Sequence, residues 1–205
     1  MIVSVSKKMI ESKDRLTQAD QAVGDGDHGV GKGRGFEEVL KKIEGQEFST
    51  IEQLFKATGM AIVTSVGGAA GAVFGIFFRG AVENLKDLEV LNAETFSRML
   101  VDGLQAVKDR GKAKLSDKTM VDALEPAAIE SQRQSSATLD EALAAITEAA
   151  RLGMEKTTEM VASVGKAKTL GRRSLGHADP GALSTFLILK FMKEYTIESK
   201  SCGGG

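Results

Sequence analysis

Residues 24–35, GDGDHGVGKGRG, combine glycines that suit phosphate binding with carboxylates that repel a bare phosphate. The glycines spell G-x-G-x-x-G from Gly24 and most of G-x-x-x-x-G-K from Gly26. Asp25 and Asp27 lie between them. Carboxylates and phosphate share a loop when a metal ion lies between them, so the chemistry to test is metal-assisted phosphate binding.

Three familiar motifs fail on the residues around this stretch. A dinucleotide fingerprint needs a buried strand before the glycines, and the preceding RLTQADQAV is too polar for one. A P-loop needs a Ser or Thr hydroxyl where Gly33 stands. A calcium loop starting at Asp25 fails at Gly29, Val30 and Phe36, which replace a ligand, a glycine and a glutamate.

Three aspartates remain, Asp20, Asp25 and Asp27, in a turn flexible enough to bring them together. Without a cation they would repel one another and raise one another's pKa values, and a divalent metal removes that conflict. Magnesium prefers oxygen ligands and commonly completes its octahedron with phosphate oxygens. An isolated Gly-Asp turn is more often a solvated loop, so the prediction of a magnesium-bridged phosphate site depends on its context.

Three other glycine-rich segments supply that context, at 65–71, 110–120 and 165–181. All lie between predicted helices, where one end of a helical bundle can gather them. The last segment ends in Asp179 and Pro180, a strong helix-start signal that leaves free amides near an anion. Four cations precede that start: Lys166, Lys168, Arg172 and Arg173.

The elements that position these segments are predicted to be helices. The chain has two prolines, one tyrosine and no tryptophan, and is rich in helix formers. Helix-spaced apolar residues and start signals divide it into eight helical segments. These are 2–16, 35–43, a segment capped by Ser49 and Glu52, 67–85, 92–110 capped by Asn92, a segment from Asp117 kinked at Pro126, 138–163 capped by Thr138 and Glu141, and the segment from Asp179. The fold class is therefore predicted to be an all-α bundle or barrel.

Composition limits the function classes. The net charge of −1 offers no basic field for nucleic acid. No apolar run approaches ~18 residues and no signal-peptide core is present, so we expect no membrane segment and a cytoplasmic location. We expect one domain over residues 1–200. Cys202 lies in the terminal SCGGG, and residues 201–205 are expected to be a flexible appended tail.

The chain resembles the DhaL family, the nucleotide-binding L subunits of dihydroxyacetone kinases. The resemblance is carried by GDGDHG, SVGGAAG, RGKAKLSDKTM and LGRRSLGHADPGA, in that order, and covers nearly all of the first 200 residues. It implies an eight-helix up-and-down barrel with Mg-ADP or Mg-ATP in the inter-helix loops at one end. That end would face a separate subunit that binds the ketose.

The resemblance also implies roles for individual residues. Two Mg²⁺ ions would be held by Asp20, Asp25 and Asp27. The phosphates would be lined by His28, Gly29, Val30, Gly31, Ala69 and Ala70. The nucleoside would be bordered by Gly111 and Met120. The pocket would be completed by Lys166, Asp179, Pro180 and Gly181, with Lys166 also stabilising the transferred phosphoryl group as the catalytic cation.

Four positions depart from the family's usual pattern. Gly31 stands where asparagine is common, Ala70 where serine is usual, Ser116 where glycine is usual and Lys166 where arginine is usual. Losing a hydroxyl and a bidentate guanidinium weakens or repositions phosphate contacts, because lysine acts as a point charge. The departures bear on nucleotide affinity and leave the metal ligands intact.

The expected activity is phosphoryl transfer to dihydroxyacetone or a related short ketose. No base is evident in this chain, which suits a partner that holds the ketose. The family implies either a bound ADP recharged by a phosphohistidine protein of the phosphotransferase system or exchange of free ATP, and a stand-alone chain favours the former. A homodimer is compatible with the sequence. Two alternatives stay open, a metal-dependent phosphohydrolase and a non-catalytic nucleotide-sensing module.

Overall fold

The computed structural model describes residues 1–66 and 68–202, without the side chains of residues 68–70 and 202. Within that part of the chain the regular structure is helical throughout, with no strand. The α-helices are α1 Ile2–Glu11, α2 Lys13–Gln21, α3 His28–Ile43, α4 Ile51–Ser65, α5 Gly68–Gly80, α6 Ala93–Gly111, α7 Val121–Arg133, α8 Leu139–Lys156 and α9 Pro180–Cys202. Short 3₁₀ segments follow α8 at Thr157–Glu159 and Lys166–Ser174.

The helices close into a ring. Each helix from α3 to α9 packs on the next, and α9 and α3 both pack on α1 and α2. Because α1 and α2 follow each other directly and share these neighbours, they form one leg, and the ring has eight legs. Successive neighbours alternate in direction, so every second connection lies at the same end. The expected all-α, eight-legged up-and-down architecture is confirmed.

The interior of the ring is apolar. Buried aromatic and aliphatic side chains from every leg fill it, among them Leu16, Phe36, Phe78, Leu100 and Ile146. Apolar residues at helical spacing supply this face, as the sequence predicts. None of the described helices combines the length and the apolar character needed to cross a bilayer.

The first leg differs from its prediction. A single helix was expected over residues 2–16, whereas the leg continues to Gln21 and breaks at Ser12, where φ is −81° and ψ is 3°. The Ser12 hydroxyl donates to the Lys8 carbonyl oxygen at 2.8 Å. Serine competes for backbone hydrogen bonds in this way, which explains the break.

Helix α3 begins at His28, so the prediction that it starts at Gly35 is wrong. The glycines of this segment serve close helix packing. A side chain at Gly29 would collide with the Lys13 carbonyl oxygen on α2, and one at Gly35 would come within 2.7 Å of Val66. The glycines here therefore allow close packing of α3 against α2 and against Val66.

Three predicted helix starts are confirmed. Asn92 accepts from the Thr95 amide at 2.8 Å, and Thr138 forms a capping box with Glu141. Asp179 accepts from the Ala182 amide at 2.7 Å at the start of α9. These positions combine a capping side chain with a sequence that continues as a helix.

Other predicted boundaries are wrong. The cap of α4 is Thr50, which accepts from the Gln53 amide, so the Ser49–Glu52 capping box does not form. Helix α7 begins at Val121, while Asp117 accepts from the Lys114 amide in the preceding turn. Helix α8 ends at Lys156, before the predicted 163. The predicted 67–85 segment includes Gly67, which lies outside the described residues, and α5 ends at Gly80.

Candidate functional site

One end of the ring carries a cleft of about 500 Å³. It lies where the α2–α3, α4–α5, α6–α7 and α8–α9 connections meet, and residues from all four line it. Asp27, Val66, Thr119, Lys166 and Pro180 are examples. The expectation that the four glycine-rich segments gather at one end is therefore confirmed by the described parts of each segment.

Three carboxylates converge at the edge of the cleft. Asp20, Asp25 and Asp27 each offer an oxygen within 4.8 Å of the others. Asp20 ends α2, is buried, and accepts from the His28 amide at 3.1 Å, while the other two are exposed. Burial, and then the two neighbouring carboxylates, raise the pKa of Asp20. A divalent cation would reverse both effects, so this all-oxygen donor set fits Mg²⁺.

Lys166 contacts two of these carboxylates. Its ammonium lies 2.6 Å from Asp25 Oδ2 and 3.1 Å from Asp27 Oδ2. The bond to Asp25 and then that to Asp27 raise the pKa of Lys166, and the Lys166 bond lowers the pKa of Asp25. The sequence placed Lys166 among the phosphate ligands, and the structure places it against the predicted metal ligands.

His28 opens α3 and forms part of the cleft wall. Its Nε2 atom lies 2.8 Å from Ser184 Oγ, and its ring packs edge-on against Phe74 at 6.4 Å. Burial, then the charges of Lys32 and Lys166, lower the pKa of His28 to about 3. His28 is therefore a neutral hydrogen-bonding side chain near pH 7 and is unsuited to act there as a general acid.

The start of α3 also favours an anion. Asp27 makes no side-chain capping bond to the helix, and its carboxylate contacts Lys166 instead. Val30 and Gly31, in the first turn, line the cleft. The positive end of the helix dipole therefore faces the space beside the carboxylates.

A buried lysine ties two of the connections together. Lys118 donates to the carbonyl oxygen of Thr157 and, at 2.6 Å, to that of His177. Burial lowers the pKa of Lys118, opposed by the charges of Asp179 and Asp122. Lys118 was not predicted as a site residue, because a lysine in a polar loop cannot be told from a solvated one by its sequence.

Asp122 and Asp179 organise the same region. Asp122 accepts from the amides of Ser116 at 2.6 Å and Thr119 at 2.7 Å. Burial raises the pKa of Asp179 to about 7, although the bond from Ala182 and the charge of Lys118 oppose the change. Asp122 was not predicted either. Its carboxylate oxygens close a turn whose residue spacing matches no known motif.

Backbone strain accompanies this network. Lys112, Ser116 and Lys118 have φ values of 54°, 73° and 61°, in the left-handed region that favours glycine. Ser116 is one of the four departures, where glycine is usual. A serine held in this conformation costs free energy, and such strain clusters at ligand-binding loops.

The remaining predicted residues lie in different places. Met120 is buried and lines the cleft together with Pro180 and Gly181. Gly29 lies between α2 and α3, and Gly111 is the exposed last residue of α6; neither lines the cleft that the described residues form. The side chains of Ala69 and Ala70 lie outside the described residues.

The fold and the cleft together define an all-helical barrel with a carboxylate-edged cleft at one end. The DAK2 domain model matches residues 22–194, and the chain belongs to that family. The ADP-binding subunit DhaL of the PEP-dependent dihydroxyacetone kinase of Escherichia coli is 39% identical over 86% of this chain and 85% of that protein. The corresponding subunit of kinase 1 of Listeria innocua is 37% identical over 91% of this chain and 89% of that protein.

Solved structures of the dihydroxyacetone kinase of C. freundii share the fold. The native form has a TM-score of 0.76 at 26% identity, and the complex with AMP-PNP and Mg²⁺ has a TM-score of 0.73 at 28% identity. In both cases the match covers 95% of this chain and 33% of the kinase chain. This chain therefore spans about a third of the length of those kinase chains.

Proposed function

We propose that this chain is the nucleotide-binding subunit of a kinase for dihydroxyacetone or a related short ketose. It presents a magnesium-bound ADP or ATP for phosphoryl transfer to a ketose held by a partner subunit. The observation that carries the proposal is the convergence of three aspartates at a cleft formed by four inter-helix connections. The names of the DhaL relatives and the AMP-PNP and Mg²⁺ complex of the C. freundii kinase support it.

In this proposal Asp20, Asp25 and Asp27 would hold two Mg²⁺ ions, which would neutralise phosphate charge when bound. Asp20 is the fixed ligand, because it is buried and held by the His28 amide. Asp25 and Asp27 are exposed and exchange Lys166 for the cation. The three carboxylates thus bind and orient, and no proton transfer is required of them.

The rest of the cleft holds the nucleotide. The first turn of α3, from His28 to Gly31, lines the phosphates with its positive helix end and with the amides of Gly29 and Val30, because the other two amides bond to Asp20 and Asp27. Ala69 and Ala70 offer amides at the start of α5. Met120, Pro180 and Gly181 form an apolar wall for the base, where a methionine covers an aromatic ring well. Lys166, once released from Asp25, stabilises the transferred phosphoryl group.

The acceptor and the donor come from other chains. We assign the base to the partner subunit that holds the ketose, because the lowered pKa of His28 makes it a weak base and Asp179 is engaged by the Ala182 amide. A phosphohistidine protein recharges the bound ADP, which agrees with the PEP-dependent relatives. We further propose a single domain over residues 1–200, acting in the cytoplasm.

A magnesium-dependent thermal shift tests the proposal. ADP should raise the melting temperature only when Mg²⁺ is present, because a ligand that binds the native state stabilises it. Asp25→Ala should abolish that magnesium-dependent increase. Glu89→Ala, which removes an exposed carboxylate from the α5–α6 connection, is the matched control and should retain it. An unchanged shift in Asp25→Ala would contradict the metal assignment.

Reconstitution separates the kinase from its alternatives. With a ketose-binding subunit and a phosphohistidine donor, the purified chain should support phosphorylation of dihydroxyacetone. Release of phosphate from ATP without any partner would instead identify a phosphohydrolase. Tight Mg-ADP binding without transfer to any supplied ketose would identify a nucleotide-sensing module.

A further inference from the structure

Lys32 is a fully buried lysine in the wall of the cleft. It lies on α3 one helical turn after His28, so the two side chains share a face of the helix. Lys32 is 2% exposed and also lines the cleft. Lysine is almost never buried to this degree without a compensating interaction, because removing an ammonium from water is costly.

The position of the Lys32 ammonium is fixed by an aromatic ring. Its Nζ atom lies 3.4 Å from the centroid of Phe74, a cation–π contact with the second turn of α5. Phe74 also packs on His28 and lines the cleft. The ammonium thus lies between α3 and α5 beside the cleft, near the ends at which both helices begin, and the positive helix ends there favour an anion.

We infer that Lys32 contacts phosphoryl oxygens of the nucleotide, as a second protein cation of the phosphate site beside Lys166. The inference rests on the proposed function. The two lysines have different environments: Lys166 is exposed and contacts Asp25 and Asp27, whereas Lys32 is buried against Phe74. The phosphates would therefore lie between Mg²⁺ at the carboxylates and Lys32 at the cleft wall.

A phosphate also compensates the burial of this side chain. Burial lowers the pKa of Lys32 well below its ordinary value. A neighbouring phosphate anion favours the ammonium form, so anion binding and protonation of Lys32 reinforce each other.

Lys32→Met tests the inference by calorimetric titration with Mg-ADP, Mg-pyrophosphate and adenosine. Mg-ADP and Mg-pyrophosphate should each bind about tenfold to a hundredfold more weakly, the range expected for a lost charge-assisted hydrogen bond. Adenosine affinity should not change, because it has no phosphate. The melting temperature of the variant without ligand is measured beside these titrations, because Lys32 also interacts with other parts of the chain and the loss of those contacts is a separate effect.

Lys13→Met is the matched control. Lys13 is exposed on α2, packs beside Gly33 on the outer side of α3, and does not line the cleft. The control variant removes the same charge at a position away from the cleft, so all three ligands should bind it as they bind the unmodified chain. If Lys32→Met does not fold, Lys32→Gln takes its place in the same titrations.

The outcomes separate the inference from the proposed function. Unchanged Mg-ADP and Mg-pyrophosphate binding in the variant overturns the inference and leaves the function intact. Equal losses for adenosine, with a lower melting temperature, overturn it as well, because they show a structural role. If the unmodified chain binds Mg-pyrophosphate through Lys32 and not ADP, the function fails and the phosphate contact stands. If it binds neither, both fail.

Discussion

The helix N-termini at the two ends of the ring differ in how their free amides are hydrogen-bonded. At the end opposite the cleft, α4, α6 and α8 begin with side-chain caps from Thr50, Asn92 and Thr138. At the cleft end, α3 follows Asp27 and α7 follows Met120 without a side-chain capping bond. At α7 the Val121 amide donates to Thr119 Oγ1 and the following amides donate to backbone carbonyl oxygens, so this start is satisfied within the chain. At α3 the His28 and Gly31 amides donate to Asp20 and to the Asp27 carbonyl oxygen, which leaves those of Gly29 and Val30 for a ligand. The start of α3 at the cleft end thus keeps donors available for binding, whereas the capped starts at the opposite end serve stability.

Buried charge separates the two ends as well. Among the described residues, the buried ionisable side chains all lie on segments at the cleft end: Asp20, Lys32, Asp117, Lys118 and Asp122. Such groups cost free energy unless paired, so their concentration marks a place where function outweighs stability. Helix α9 combines both properties, because Asp179 caps it and also faces the cleft.

The largest effect that tests this comparison concerns Asp179→Asn. Burial raises the pKa of Asp179 to about 7 from its ordinary 3.8, so its ionisation opposes folding. The stability of the unmodified chain therefore falls, through this group, as the pH rises from about 4 to about 7. Asparagine cannot ionise and still accepts from the Ala182 amide. The variant should gain stability relative to the unmodified chain across that range, by at most about 4 kcal/mol.

Urea unfolding at pH ~4.5 and pH ~7.5, near the two ends of that range, measures the difference in free energy of unfolding between the variant and the unmodified chain. Asp87→Asn, in the exposed connection at the opposite end, is the control and should show no such gain. A stability difference for Asp179→Asn that does not change with pH would show that the cleft end does not hold an unfavourable charge.

A smaller effect is expected from Lys166→Met. Without nucleotide, the affinity for Mn²⁺ should rise about twofold to fivefold, because an exposed lysine no longer competes for the carboxylates. Affinity for Mg-ADP should fall by about tenfold through the lost phosphate contact. Titration calorimetry measures both. Lys168 is an exposed neighbour, and Lys168→Met should change neither affinity. If Lys166→Met weakens the binding of both Mn²⁺ and Mg-ADP, Lys166 only supports the loop.

The smallest effect is expected at the opposite end. Thr138→Ala removes a capping box and should cost about 1 kcal/mol of stability, or about 2–4 °C in melting temperature. Nucleotide affinity should stay unchanged, because α8 begins far from the cleft. Ser136→Ala, an exposed serine in the same turn, is the control. A change in Mg-ADP affinity in Thr138→Ala would mean that the two ends are energetically coupled.

The sequence predicted what depends on local signals. Helical periodicity gave eight legs, and caps such as Asn92 and Thr138 were located because a capping side chain acts within one turn. The four glycine-rich segments were located as the parts of one site because they alternate with helices. The chemistry of three carboxylates in one flexible turn predicted a magnesium site, and the family resemblance added two Mg²⁺ ions and the bound nucleotide.

The rest depends on packing between distant segments. Lys32 and Lys118 are buried by neighbouring helices and connections, and nothing in their flanking residues distinguishes them from solvated lysines. The pairing of Lys166 with Asp25 joins residues that are far apart in the chain. The start of α3 was misplaced because glycine lowers helix propensity, and the contacts of Gly29 with α2 override that preference.

The missing side chain at Gly29 sets the distance between two backbones. Asp20 ends α2 and Asp27 precedes α3, and Gly29 lets these helices touch at the Lys13 carbonyl oxygen. The spacing of the carboxylates is therefore inherited from the contact between two helices. A single methyl group on Gly29 would push α2 and α3 apart and move one carboxylate away from the others. The geometry of the proposed cation site therefore depends on a residue outside the three carboxylates.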